Sequence, residues 1–337
     1  MEKLNPNMNN MINKKANLVK NLFGKNIKQL PTRHGYGDGV VLAGEKNKDI
    51  VVLCCDLTES TRNHLFKQKF PNRFIEVGIA EQNMAAMAAG MATCCKVPFI
   101  ASYAMFSPGR NWEQIRTTIC YNETNVKIVG AHAGVSVGPD GATHQAIEDI
   151  ALTRVLPKMT VVVPCDYEEA KKATLEIAKI VGPCYIRLGR EATPIFTTSK
   201  TPFKIGRAEI LRTGKDVTIV ACGALVYEVL KAAKELEKEK IDVQVINNHT
   251  IKPLDKKTLL QAAKETGAFI TAEEHQRNGG MGSAICELLA ENYPIPLERI
   301  GVDDMFGESG KPEELLNKFG LTAPYIIKAI KKVLKRK

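Results

Sequence analysis

The strongest constraint on this chain is a series of short, unbroken apolar runs rich in β-branched residues: DIVVLCCD (49–56), RFIEVG (73–78), VPFIASY (97–103), VKIVGAH (126–132), TVVVPC (160–165) and CYIRLG (184–189). A strand with one wet face alternates apolar and polar residues, whereas a strand that is apolar throughout has to be covered on both sides. Helical stretches separate the runs, so the pattern predicts an α/β fold with a mostly parallel sheet between helical layers. A second series follows, AEILRTG, DVTIVACG, IDVQVINN, AFITAEEH and LERIGV, with the helix LVYEVLKAAKELEKEK between its second and third members. At 337 residues the chain exceeds what one core ordinarily supports. Two such domains are therefore expected, at 30–190 and 207–337. The Thr- and Pro-rich stretch 191–206 reads as a linker, and residues 1–29, rich in Asn and Lys, as an extension with a short helix near Ala16 to Phe23.

A net charge of +10 would suggest a nucleic-acid partner if it covered one folded face. It does not. Residues 1–29 carry six Lys and one Glu, and residues 328–337 carry five Lys and one Arg, together +11, which leaves the body near −1. The basic character belongs to two ends expected to be solvated, and no interior basic stripe is interleaved with aromatics, so nucleic-acid binding is not expected. No apolar run reaches the roughly 18 residues a membrane span requires, and the start lacks a signal-peptide core. The expected setting is cytoplasmic. The nine cysteines fall in aliphatic stretches without a C-x-x-C pair, and are read as reduced, buried small hydrophobes rather than disulfide or metal ligands.

In FIEVGIAEQNMAAMAAGMATC a strand gives way to a helix whose Met84, Met87, Ala88 and Met91 follow the i, i+3, i+4, i+7 spacing of one face. Glu81 lies three residues before Met84 on the same face. The Met/Ala stripe with Gly90 predicts a buried, closely approached helix. A carboxyl group there is either stabilised by the helix dipole or held in an apolar pocket.

RFIEVGIAEQNMAAMAAG resembles the pyrimidine-binding segment of thiamine diphosphate enzymes. VPFIASYAMF, IVGAHAGVSVGPDGATHQAIEDIALTR, YIRLGR, IKPLD and EEHQRNGGMGSAI then resemble, in order, the carboxyl-terminal half of the transketolase family, over about residues 30–335. The resemblance implies two thiamine-enzyme domains and a reversible transfer of a two-carbon ketol unit between sugar phosphates. It also assigns roles. Glu81 matches the carboxylate that hydrogen-bonds the cofactor's aminopyrimidine, Tyr103 and Phe106 the aromatic wall, and Asp56 an acidic residue near the cofactor. His132 and Asp140 match groups that bond the sugar's hydroxyls, and His144 a histidine near the reacting oxygen. Arg190, Arg33 and Ser60 match phosphate contacts, a role for which a planar guanidinium is suited. His275 is read as part of a structural polar loop rather than a subunit contact. His132 and His144, with no third His or Cys beside them, do not suggest a metal site in this chain.

Gly37-Asp38-Gly39, with Asn63 downstream, has the spacing of the family's diphosphate and metal cradle. The triplet precedes a predicted helix rather than following a strand, so Asp38 is read as a decoy. The resemblance then implies a split enzyme. An amino-terminal transketolase subunit would hold Mg2+ (or Ca2+) and the diphosphate, and this chain would self-associate as a dimer within a heterotetramer. The rival expectations are a beta-type subunit of a 2-oxo acid dehydrogenase, a deoxyxylulose phosphate synthase-like chain, or a catalytically idle homologue. The first normally lacks HAGVSVGPDG, and the second usually has no histidine at the position of His132.

Overall fold

The computed structural model describes residues 11–337. The first ten residues of the expected extension lie outside this range. The strands are β1 (Gln29–Leu30), β2 (Ile50–Cys54), β3 (Phe74–Glu76), β4 (Val97–Tyr103), β5 (Lys127–Ala131), β6 (Thr160–Val162), β7 (Cys184–Arg187), β8 (Thr193–Pro194), β9 (Glu209–Arg212), β10 (Val217–Ala221), β11 (Val243–Asn247), β12 (Thr250–Lys252), β13 (Phe269–Gln276) and β14 (Leu297–Val302). A seven-stranded sheet runs in the order β12-β6-β7-β5-β4-β2-β3, and a five-stranded sheet in the order β14-β13-β10-β11-β9. Within these two sheets every pairing is parallel except those of β12 with β6 and β11 with β9, and β1 and β8 form a separate antiparallel pair. Strands β2, β5, β7, β10 and β11 are buried at every residue, as the unbroken apolar runs require.

The division between the halves is less clean than the sequence suggests. Strand β12 comes from the second half, yet forms the antiparallel edge of the first sheet. Lys252 on it donates to the carbonyls of Arg154 and Leu156 at 2.9 and 2.5 Å. The 191–206 segment is pinned rather than free: β8 pairs with β1, Phe196 is fully buried, and Asp166 accepts from the backbone of Phe196 and Thr197 at 2.9 and 2.7 Å.

The described part of the extension packs on the second domain. Ala16 and Leu22 are buried in its core, and Asn13 bonds the backbone of strand β9. The helix expected near Ala16 to Phe23 is instead a 3-10 turn at Lys14–Ala16 followed by turns. At the other end, helix Ala323–Leu334 buries Ile326, Ile330 and Val333, while Lys332 and Arg336 pair with Glu298. Within the described residues the basic ends are thus charged faces of packed segments. Of the nine free cysteines, Cys94 and Cys95 are exposed, which corrects the expectation that all are buried; the other seven are buried or half-buried. Among the described residues no helix is long and apolar enough to cross a membrane.

Gly37-Asp38-Gly39 lies inside helix Thr32–Lys46, and Tyr167 donates a hydrogen bond to the Asp38 carboxylate. A Cβ at Gly37 would come 2.7 Å from Arg62 Cβ, and one at Gly39 would come 2.8 Å from Thr174 Cβ. These glycines let helix Thr32–Lys46 lie against helix Tyr167–Ile177 and against the loop after β2. The triplet is a packing device, and Asp38 faces a tyrosine.

Candidate active site

Parallel strands carry their ligands at their carboxyl ends, and the residues singled out in the sequence gather there. Asp56 and Ser60 follow β2, Glu81 follows β3, Tyr103 ends β4, His132 follows β5 and Arg190 follows β7. The topology brings residues far apart in sequence to one rim.

Glu81 begins helix Glu81–Thr93, whose buried face is Glu81, Met84, Ala85, Ala88 and Ala89. It is 1% exposed. Its Oε2 receives Arg110 Nη1 at 2.7 Å, Ser102 Oγ stands 3.4 Å from Oε1, and Asn111 Nδ2 donates to its backbone carbonyl at 3.1 Å. Burial of a carboxylate is tolerated because it is paired. Met87 and Met91 are only half-buried, and Gly90 is exposed with nothing within 4 Å of where a Cβ would stand, so the close approach expected at Gly90 does not occur within this chain.

Beside this carboxylate stands an aromatic cluster. Tyr103 and Phe106 are nearly parallel at 6.1 Å, and His132 stacks on Tyr103 at 3.9 Å. His144 meets Phe106 edge-on at 5.4 Å, and its Nδ1 is 2.9 Å from Thr143 Oγ1. His132 is 2% exposed. Burial, then the charges of Arg33 and Arg190, depress its imidazole pKa to about 3. It is therefore neutral at physiological pH. Arg33 Nη1 lies 3.0 Å from His132 Nε2, and since a guanidinium can only donate, Nε2 accepts and the proton sits on Nδ1. That Nδ1 is buried without a hydrogen-bond partner among the described residues. A buried donor left open costs ~1–3 kcal/mol, so any rearrangement that brings an acceptor to it is favoured.

Arg33 also donates to the Ser60 carbonyl at 2.9 Å, and Arg190 donates to the Val137 carbonyl at 2.5 Å. Burial, with Arg190 and Arg62 nearby, pulls the Arg33 guanidinium below its usual value. His34 is pulled down by burial and by Arg62 and Arg33. Among the described residues Arg62 makes no ion pair and no side-chain hydrogen bond, and the Nε atoms of both Arg33 and Arg62 are buried without partners. The one carboxylate paired with this cluster among the described residues is Glu191, 3.6 Å from Arg190, and three guanidinium groups with so little compensating charge suit an anion. The sequence reading found Arg33 and Arg190 but missed Arg62 and His34, although Arg62 lies two residues beyond Ser60. It also missed Arg110, four residues beyond Phe106.

Asp140 and Asp56 are exposed, and their carboxylates have no partner among the described residues. The Asp56 backbone is held by Glu76, which accepts from Asp56 N and Thr58 Oγ1, each at 2.7 Å. His275 lies in β13 rather than in a loop. It is fully buried, with Nδ1 donating to the Gln276 carbonyl at 2.8 Å and Nε2 accepting from Ala151 N at 3.3 Å.

Beneath the histidine loop, the segment after β5 that carries His132 and His144, lies a charged cluster that the sequence did not announce. Asp149 Oδ2 accepts from Tyr185 Oη at 2.6 Å and Arg187 Nε at 2.8 Å, and Arg187 Nη2 donates to the carbonyls of Glu274 and Ala146 at 2.7 and 3.2 Å. Glu274 in turn accepts from Ser136 N at 2.6 Å. Burial lowers the Arg187 pKa, but Asp149 and Glu274 more than offset this and raise it. From the same loop, Gln145 Nε2 donates to the carbonyls of Val135 and Glu308 at 3.1 and 2.9 Å, tying it to the second domain.

Comparison with known proteins places these features in context. The transketolase pyrimidine-binding domain matches residues 28–195, and the transketolase C-terminal domain matches residues 206–326. A transketolase C-terminal section of Methanocaldococcus jannaschii is 42% identical over 90% of this chain and 96% of its own length. The 6-deoxy-6-sulfo-D-fructose transketolase subunit of Clostridium sp. (strain MSTE9) is 41% identical over 90% of this chain and 95% of its own. The transketolase of Rattus norvegicus is 38% identical, but the match covers 49% of its length. A solved structure described as a split gene transketolase, inactive beta4 tetramer, superposes with a TM-score of 0.86 at 47% identity, covering 91% of this chain and 99% of that one.

Proposed function

The chain belongs to the transketolase family, and on that premise we propose that it is the carboxyl-terminal subunit of a two-subunit transketolase that moves a two-carbon ketol unit from a ketose phosphate to an aldose phosphate. The observation that carries the reading is Glu81: a carboxylate 1% exposed at the start of a helix, beside the stacked Tyr103 and Phe106. These residues fit one half of thiamine diphosphate. Glu81 offers a carboxylate oxygen to the ring nitrogen, and the two aromatic rings supply a flat apolar wall. When bound, the cofactor supplies the nucleophilic carbon that breaks and re-forms the carbon–carbon bond beside a carbonyl.

The remaining residues bind and orient the sugar. Neutral His132 presents its open Nδ1–H to a hydroxyl of the substrate, with its tautomer fixed by Arg33. His144, half-buried and edge-on to Phe106, is placed to hold a proton at the reacting oxygen. Arg33, Arg190 and Arg62, with Ser60, receive the terminal anion. Asp140 reaches the sugar from the rim, and Asp56 lies toward the cofactor. The relative named for 6-deoxy-6-sulfo-D-fructose is named for a sugar with an anionic terminus, which supports this subsite.

Asp38 is committed to Tyr167 inside a helix, which supports placing Mg2+ and the diphosphate on an amino-terminal partner subunit. The relatives that this chain spans end to end are named as sections or subunits, and the rat enzyme is twice as long. Such names support a split transketolase over a 2-oxo acid dehydrogenase or deoxyxylulose phosphate synthase role. The test is glycolaldehyde transfer from xylulose 5-phosphate to ribose 5-phosphate, by this chain alone and reconstituted with its partner, with and without thiamine diphosphate and Mg2+. Turnover only in the complete mixture, abolished by Glu81→Gln, is expected. Robust turnover by the lone chain, or a Glu81→Gln complex as fast as the parent, would refute the reading.

A further inference from the structure

Glu81 and Phe106 share one neighbour, Arg110. Its Nη1 lies 2.7 Å from Glu81 Oε2, and its guanidinium carbon stands 4.7 Å from the Phe106 ring centroid. A guanidinium is planar, donates hydrogen bonds in its own plane and stacks on aromatic faces. Those are the properties by which an aminopyrimidine would engage the same carboxylate and the same ring.

We propose that Arg110 is a displaceable placeholder in the pyrimidine subsite, pairing with Glu81 in the unassembled chain and withdrawing to solvent when thiamine diphosphate takes that carboxylate. The inference rests on the cofactor reading above. The two partners differ in what separation costs them. The Arg110 side chain is 47% exposed and that of Glu81 1%, so the guanidinium can return to water while the carboxylate cannot. Removing Arg110 without a substitute takes from the buried carboxylate its charged partner, which is unfavourable by the modest worth of a half-exposed ion pair. Among the described residues the other oxygen of Glu81 has only Ser102 at 3.4 Å. Departure of Arg110 is therefore coupled to arrival of another donor. The backbone that carries it is anchored separately: Asn111 Nδ2 bonds both the Glu81 carbonyl at 3.1 Å and Ser107 Oγ at 3.2 Å, so the side chain can swing without loosening the helix start.

The placeholder makes opposite predictions from a cofactor-holding arginine. Arg110→Met keeps length and apolar contact with Phe106 but removes the charge. In the chain alone it lowers the thermal midpoint by about 2–4 °C, and adding Glu81→Gln restores most of the loss. In the reconstituted complex with Mg2+, calorimetric titration with thiamine diphosphate gives a dissociation constant about two- to fivefold lower than the parent's, the worth of a partly exposed ion pair. Arg110→Lys keeps the charge but not the plane, so it gives the same sign at smaller size and serves if the Met variant does not fold. A dissociation constant that is unchanged or raised overturns the placeholder and leaves the functional reading standing. A parent complex that binds no thiamine diphosphate overturns both.

Discussion

Replacing Asp149 by Leu tests how much of the site is held up from below. Asp149 is 1% exposed and accepts from both Tyr185 and Arg187, which is itself 6% exposed. The substitution leaves a buried guanidinium without its carboxylate, which costs about 3–5 kcal/mol. It also orphans the Tyr185 hydroxyl, for ~1–3 kcal/mol. The two costs overlap because the groups share one oxygen, so about 4–6 kcal/mol is expected, a large part of the ~5–15 kcal/mol that holds a typical domain. Arg187 also carries the Ala146 and Glu274 carbonyls, so the histidine loop should loosen with it. Urea unfolding at fixed protein concentration, followed by tryptophan fluorescence, measures the loss. The double variant Asp149→Leu/Arg187→Met removes the stranded charge and should recover at least half of it. A single variant within ~1 kcal/mol of the parent, or a double variant no better than the single, would refute the view that this buried pair positions the loop.

Stability should fall as the pH is lowered from about 6.5 toward 3. Burial depresses both His132 and His249 to about 3, so the unfolded chain takes up protons that the folded one refuses; the full stability is present above the unfolded value near 6.5, and each histidine removes about 1.4 kcal/mol per pH unit below it. Unfolding free energies that do not decline between pH 7 and 5 would contradict the neutral assignment of His132. Arg62→Gln should raise KM for a phosphorylated ketose about tenfold or more with kcat changed far less, since one charge-assisted contact is worth about 1.5–3 kcal/mol; a KM unchanged within error removes Arg62 from the anion subsite. Gly39→Val should destabilise the chain by about 1–3 kcal/mol through its contact with Thr174, while Asp38→Asn should leave metal dependence of the reconstituted enzyme unaltered; an altered metal requirement would reinstate the triplet as a ligand.

Sequence by itself determined the doubly covered strands, because an unbroken apolar run admits few other environments, and it determined the helix start at Glu81, because the local period places that carboxylate on the apolar face. It marked His132, His144, Arg33 and Arg190 as residues worth placing. Tertiary structure alone decided what they became. Arg33 and His132 are 99 residues apart, and their 3.0 Å contact fixes a tautomer that no local pattern encodes. Glu81 and Arg110, 29 apart, pair only because the sheet order sets β4 one strand away from β3, with β2 between them, so that the segments following β3 and β4 meet. Strand β12 crosses from the second half to complete the first sheet, and Gly37 and Gly39, already read from the sequence as no phosphate cradle, found their contacts with the loop after β2 and with helix Tyr167–Ile177. Periodicity reports which face of an element is apolar. Partners, protonation and open donors depend on distance and on exclusion of water, and both arise only when the elements pack.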